Sequence, residues 1–241
     1  MAHGLYGKLP AKRDFIAVNL PQGFLTRWEP WLQGNLSAAM LAFGARWKET
    51  FFLAPLWRFW IGKDVLGIPI MGVLMPSMDG VGRQFPLTLL SPAPDGQIYP
   101  SLLSEPQVDW FDEAENLLLS TLDDGVPFEG TLAALEALTL PVSTLIPDLP
   151  EGVKISGAVT IAVGNAERAH DAPLQALHAA FLAKRPDHQS IWWTIGGENF
   201  PPLAFSVDGL PDAALFQRMM AAAAPAKSAT QPAPAELTPE V

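Results

Sequence analysis

The sequence predicts an α/β fold, a three-layer α/β/α sandwich around a mixed, partly antiparallel sheet. Three observations predict it. At least six strand-type segments are interspersed with helical ones along 241 residues, the pattern of helices laid over a sheet. Segments 57–61, 68–75 and 85–91 follow one another with short connections, which favours an antiparallel meander inside that sheet. Trp192 and Trp193 are neighbours in a strand, so their rings point to opposite faces, as in a strand covered on both sides. One domain over residues 1–222 accommodates these elements. Residues 223–241 read as a flexible Ala/Pro-rich tail without apolar periodicity. The Pro-rich stretch 141–156 is the best internal boundary.

The elements follow in chain order. Residues 4–9 form a short strand ended by Pro10. Leu25, Trp28, Leu32, Leu36, Met40, Phe43 and Trp47 recur at helical spacing, and Pro30 inside this run predicts a kink or break. After the meander, 92–101 is loop. Ser104 and Gln107 have capping-box spacing ahead of a helix whose buried face carries Val108, Phe111, Ala114, Leu118 and Leu122. Asp123-Asp124-Gly125 ends it. A shorter helix over 130–139 carries Leu132, Leu135 and Leu138, and a strand is expected over Gly157–Val163. Asp171 caps a helix with Leu174, Leu177 and Phe181. Ile191–Ile195 and Leu203–Val207 are two strands around Gly196-Gly197, and Asp212 starts a last helix to about Ala222.

Bulk composition removes several function classes. Net charge is −10, with 25 acidic against 15 basic residues, so phosphate backbones and anionic lipid surfaces are repelled. Nucleic acid is not expected as a partner. Cysteine is absent, which removes disulfides, thiolate catalysis and Cys-based zinc sites. The N-terminus lacks a charged region followed by an apolar one, so no signal peptide is expected. The longest apolar run, 65–75, falls short of the roughly 20 residues a spanning helix needs. A cytoplasmic protein without membrane insertion is expected.

The loop between the second and third meander strands is longer and more polar than a turn requires. Gly80-Val81-Gly82-Arg83-Gln84-Phe85 begins like a dinucleotide fingerprint, but Phe85 stands at the third glycine and a strand follows instead of a helix. No cofactor is expected there. Ser77, Asp79 and Arg83 either meet a partner or hold the loop, Asp79 pairing with Arg83 or with backbone. Arg58 lies between Trp57 and Phe59, on the face of Trp60. Buried, it needs an acid, with Asp14 or Asp79 the nearest in the motif set. It serves either as an anion or phosphopeptide contact, or in a structural ion pair or stacked on an aromatic ring. Trp28 and Trp31 form either an exposed anchor or a core cluster, and Leu25, Leu32 and Leu36 on the same stripe favour the core.

The sequence holds no recognisable catalytic constellation. His3, His170, His178 and His188 show no zinc spacing, and no nucleophile elbow or Walker loop occurs. Asp112/Glu113 and Asp123/Asp124 are adjacent pairs and read as solvated charges near helix ends. His170-Asp171 reads as chance adjacency with a cap. No metal and no catalytic residue is expected.

Pro55-Leu56-Trp57-Arg58-Phe59, followed by the run from Gly72 to Leu87 (G-V-L-x-P-S-x-D-x-V-G-R-x-F-P-L), resembles the TagF/ImpM family of type VI secretion accessory proteins. Tyr6-Gly7-Lys8-Leu9-Pro10, Asp14-Phe15 and Trp28-x-x-Trp31-Leu32 match that family's opening motifs. Trp192-Trp193-Thr194 is a weaker match. The resemblance is dense over 4–91 and thin beyond, and Arg13 stands where the family usually has Gly. It implies a non-catalytic, post-translational regulator that restrains assembly by binding a cytoplasmic component, with a forkhead-associated scaffold the leading partner. In the family this domain is sometimes followed by a phosphatase domain, which makes 223–241 a reasonable linker remnant. Lys8, Asp14, Arg58, Ser77, Asp79 and Arg83 are the candidate partner-binding residues. Two alternatives stay open: a structural subunit of the apparatus, and a hydrolase assembled from Asp14, Arg58, Ser77 and Asp79.

Overall fold

The computed structural model describes residues 2–100, 102, 105–123, 125–145, 153–156, 159–162, 187–197 and 200–221. Eleven strands are described: β1 (Gly4–Gly7), β2 (Ile16–Val18), β3 (Trp57–Ile61), β4 (Ile70–Met75), β5 (Leu87–Pro92), β6 (Gln97–Ile98), β7 (Thr144–Leu145), β8 (Val153–Ser156), β9 (Val159–Ala162), β10 (Gln189–Thr194) and β11 (Leu203–Asp208). The helices are α1 (Phe24–Phe43), α2 (Trp47–Leu53), α3 (Lys63–Leu66), α4 (Val108–Ser120), α5 (Phe128–Ala137) and α6 (Ala213–Met220). The expected helix after Asp171, Ser104, His170, His178 and the 223–241 tail lie outside the described residues.

Seven strands form one sheet in the order β11-β10-β3-β4-β5-β1-β2. The expected meander is β3-β4-β5. The expectation of a mixed sheet is corrected: every neighbouring pair is antiparallel. A parallel pair needs a long crossover between sheet neighbours. Here the strands that follow directly in sequence are joined by short links, while the long passage through α1 and α2 runs from edge strand β2 to central β3. Edge strand β2, three residues long, carries no periodicity that marks it in the sequence. β6 with β7, and β8 with β9, make two small separate two-stranded antiparallel sheets.

Strand alternation sorts side chains into two cores. Trp57, Phe59, Ile61, Ile70, Leu74, Leu90 and Trp192 join Phe24, Trp28, Leu32, Leu36, Phe51 and Phe216 from α1, α2 and α6. Trp60, Met71, Val73, Leu87 and Leu89 join Trp110, Phe111, Ala114, Leu118 and Leu135 from α4 and α5, with Trp193 packed against them. Trp192 and Trp193 therefore do serve opposite cores. Trp28 is fully buried and Trp31 donates to the Pro211 carbonyl at 2.7 Å, so this pair is core and not an exposed anchor.

α1 does not break at Pro30. The proline is on the exposed side, where losing one backbone donor is tolerated, and buried Trp28 and Leu32 flank it. The helical path breaks instead at Gly44–Arg46, a single 3-10 turn before α2. Beyond Leu36 the stripe runs through Ala39, leaving Met40 51% exposed. On α4 the capping box is replaced. Gln107 is itself the helix-entry residue, at φ 57°, and its amide brackets Val142, donating to the Val142 carbonyl and accepting from its N–H, both at 2.9 Å. Val108 and Leu122 are exposed, and Trp110 and Leu117 take their places in the core. Asp212 caps α6 as expected, accepting from Leu215 N–H at 2.8 Å.

Gly72 in β4 is a packing requirement. A Cβ there would lie 2.3 Å from the Phe59 ring and 2.3 Å from the Leu89 carbonyl oxygen. The bare backbone lets Phe59 lie across the sheet to reach Trp28 and Trp192, with ring centroids 5.3 and 5.0 Å away. Gly72→Val is expected to cost about 3 kcal/mol by overpacking, read from urea equilibrium unfolding. An unchanged midpoint would refute this role.

Candidate functional site

The motif residues sit on three pieces of chain: the exit of β1 (Lys8 to Phe15), the loop between β4 and β5 (Pro76 to Pro86), and β3. The first two meet around one carboxylate. Asp79 is 2% exposed, and a buried carboxylate must have its oxygens filled. Oδ2 accepts from Lys8 Nζ at 3.0 Å and from Arg83 Nε at 2.6 Å. Oδ1 accepts from the N–H groups of Arg83 and Val81 at 2.9 and 3.1 Å. Burial alone would raise the Asp79 pKa. The Arg83 N–H, the Lys8 ammonium, the Arg83 guanidinium and the Val81 N–H outweigh it and hold the carboxyl well below the usual carboxylate range.

The backbone completes the loop. Asp79 N–H donates to the Arg83 carbonyl at 3.1 Å and Gly82 N–H to the Asp79 carbonyl at 2.9 Å. Gly80 N–H donates to the Lys12 carbonyl at 2.7 Å, and a Cβ on Gly80 would meet the Pro10 carbonyl oxygen at 2.8 Å. Loop and N-terminal segment are thus in backbone contact. The Arg83 guanidinium also donates to the Arg13 carbonyl. Arg13 has no left-handed φ, so glycine is not required there. Phe15, 48% exposed, packs edge-on against Phe85 at 4.7 Å, and Lys8 Nζ lies 4.9 Å from its ring centre.

Of the six candidate partner-binding residues, Lys8, Asp79, Arg83 and Asp14 therefore share one region, with Ser77 beside them. Lys8, Ser77, Asp79 and Arg58 are buried. Asp14 and Arg83 are exposed, Arg83 by 58% of its side chain. The loop-holding role foreseen for Asp79 and Arg83 is the geometry observed. Ser77 Oγ is buried without a hydrogen-bond partner among the described residues.

Arg58 stands apart, and its expected pairing with Asp14 or Asp79 is corrected. Nε donates to Glu115 Oε1 at 2.7 Å, while one Nη donates to Asp112 Oδ1 at 2.7 Å and Glu115 Oε2 at 2.9 Å. The guanidinium lies 5.5 Å from the Phe111 ring centre. Burial works against its charge, but Glu115 and then Asp112 outweigh that and raise its pKa. Asp112, read from sequence as a solvated charge, is half of this clamp. The signal was present: Asp112 and Glu115 are one helical turn apart, flanking the inward face marked by Phe111. Two surface grooves, one bordered by Asn19, Gln22, Leu66 and Pro92 and one by Val207, Leu210, Leu215 and Arg218, include none of the six candidates.

Three outcomes follow from these networks. Glu115→Ala strands a buried guanidinium and is expected to cost about 3 kcal/mol. Asp112→Ala, at a carboxylate 56% exposed, is expected to cost less than about 1 kcal/mol. Chemical denaturation of both variants checks the order, which a larger Asp112 effect would reverse. A depressed carboxylate stabilises the fold above its ordinary pKa of 3.8 and loses that contribution as pH falls below it. Asp79→Asn is therefore expected to lower the melting temperature at pH 7 by roughly 5 °C and to flatten its fall in acid. Melting curves parallel to the wild type across pH would contradict the assignment.

No curated protein matches this chain. A structural relative is PA0076 from Pseudomonas aeruginosa PAO1, whose crystal structure superposes with a TM-score of 0.75 at 29% identity over 100% of both chains. The model of the TagF N-terminal domain, type VI secretion system-associated, matches residues 4–138. That span is more than half of the chain and includes both the Asp79 staple and the Arg58 clamp, so this chain belongs to the TagF family of type VI secretion system-associated proteins.

Proposed function

We propose that this protein is a non-catalytic, post-translational regulator of type VI secretion. It acts in the cytoplasm, binds a forkhead-associated scaffold and restrains assembly by sequestering it. The observation that carries this reading is how the motif spends its charged groups. Asp79 is consumed by Lys8, Arg83 and two backbone N–H groups, and the result is a braced loop held against the 8–15 segment. Such bracing prepares a surface of fixed shape, which lowers the ordering cost of binding a partner. The layering serves the same reading. With α1, α2 and α6 feeding one core and α4 and α5 the other, a three-layer α/β/α arrangement covers both sheet faces and leaves loops and edges for recognition.

The hydrolase alternative requires Asp14, Arg58, Ser77 and Asp79 to converge. Arg58 is committed to α4 and Asp79 to Lys8 and Arg83, in two networks with no common member. A reacting group would have to displace one of these pairs, and neither offers a free base beside a nucleophile. The structural-subunit alternative has no comparable observation in its favour.

The test is affinity capture of the tagged protein from lysate of its own host, read by mass spectrometry. A forkhead-associated scaffold or another type VI component is the expected catch. Recovery of chaperones alone by a well-folded bait would sink the reading. Overproduction should reduce type VI secretion at unchanged transcript levels, and an increase would exclude restraint.

A further inference from the structure

Charge on this protein is unevenly spread. The molecule as a whole is −10, yet segments 8–15 and 78–85 hold Lys8, Lys12, Arg13 and Arg83 against only Asp14 and Asp79. Asp79 is buried and neutralised by Lys8 and Arg83, so it presents nothing to solvent. What these segments show outward is Arg13, half-buried Lys12, the outer edge of Arg83, and Asp14. Lys48 joins at the rim, where Gln84 Nε2 reaches the Lys48 carbonyl at 3.5 Å.

Apolar groups lie among these cations. Val81 is 57%, Phe15 48% and Met78 37% exposed. They form one surface because the segments are tied together through Gly80 to Lys12, Arg83 to Arg13 and Phe15 to Phe85. Apolar centres inside a polar rim are the layout of protein docking faces. The sign of the rim selects the partner. An acidic partner is repelled by the net charge of this molecule and attracted by this cationic rim, which favours one orientation as well as one position. Arg83 is prepared for that role. Asp79 holds Nε and Arg13 accepts from one Nη, leaving the other Nη without a partner among the described residues.

We propose that the face formed by Lys12, Arg13, Phe15, Met78, Val81 and Arg83 docks an acidic segment of a partner protein, in which Asp or Glu side chains flank one apolar side chain. The apolar group lies over Phe15 and Val81, and the carboxylates reach Arg13 and Arg83. That the scaffold supplies this segment rests on the function proposed above, whereas the face itself does not.

The first arm of the test titrates a short peptide of Asp and Glu around one Phe into the isotope-labelled full chain, following amide shifts. Shifts centred on Arg13, Phe15, Val81 and Arg83 are expected, with affinity falling roughly tenfold or more between about 50 and 500 mM salt. Arg13→Glu and Val81→Ser replace exposed side chains with no ion pair or hydrogen bond of their own among the described residues, so both should melt like the wild type and lose the shifts. Shifts that are absent or centred elsewhere, or variants that bind like the wild type, overturn the proposal. The second arm measures the purified forkhead-associated scaffold against the same proteins, and Arg13→Glu is expected to weaken binding at least roughly tenfold. Equal binding by wild type and variants overturns the face while leaving the scaffold reading intact. No binding by either, with peptide shifts still mapping here, retires the scaffold and keeps the face.

Discussion

A carboxylate placed out of water must have its oxygens filled, and in this protein the motif region is organised around meeting that demand for Asp79. Its donors come from two places that only the fold unites. Arg83 and Val81 lie a few residues along the same loop, while Lys8 arrives from the end of β1. Filling the site closes the loop, sets the direction of Arg83, and draws the 10–13 segment close enough for Gly80 to touch its backbone. A buried ion of this kind is weak evidence for net stability, because desolvation offsets much of the Coulomb gain. Its stronger effect is on shape, since a misplaced loop would leave the charge uncompensated.

Arg58 poses the same problem with the sign reversed, and is solved elsewhere. Alternation along β3 places it on the Trp60 side, facing α4, where Glu115 and Asp112 grip the guanidinium and Phe111 lies beside it. This clamp adds directional contacts between α4 and the sheet to the apolar packing of Phe111, Ala114 and Leu118. The two centres divide the labour: one registers a helix, the other shapes a surface. That division explains why residues close in the motif do not form one site.

Local pattern made most of the architecture legible. The meander, the β10–β11 hairpin, the opposed Trp192 and Trp193, the Asp212 cap and the core role of Trp28 were all readable from periodicity and spacing. What escaped depends on distance along the chain. Pro30 leaves α1 unbroken because its side of the helix faces solvent, away from the stripe of Trp28, Leu32 and Leu36, and only the assembled fold shows that the helix continues through it. Gln107 looked like part of a cap because Val142, 35 residues away, is its real partner.

Residue order by itself therefore determined where strands and helices form, which faces are apolar, and that Arg58 and Asp79 need opposite charges. It also carries the motifs by which the family is recognised. Only the tertiary structure decided which charges meet. Coulomb and hydrogen-bond partners are chosen by proximity in space, and the acids nearest Arg58 in the motif lost to two on a facing helix 54 and 57 residues away. For the same reason exposure could not be read from the sequence. Lys8 and Arg83 bind the same oxygen, yet one is buried and the other lies open, because one enters from β1 beneath the loop and the other from its outer side.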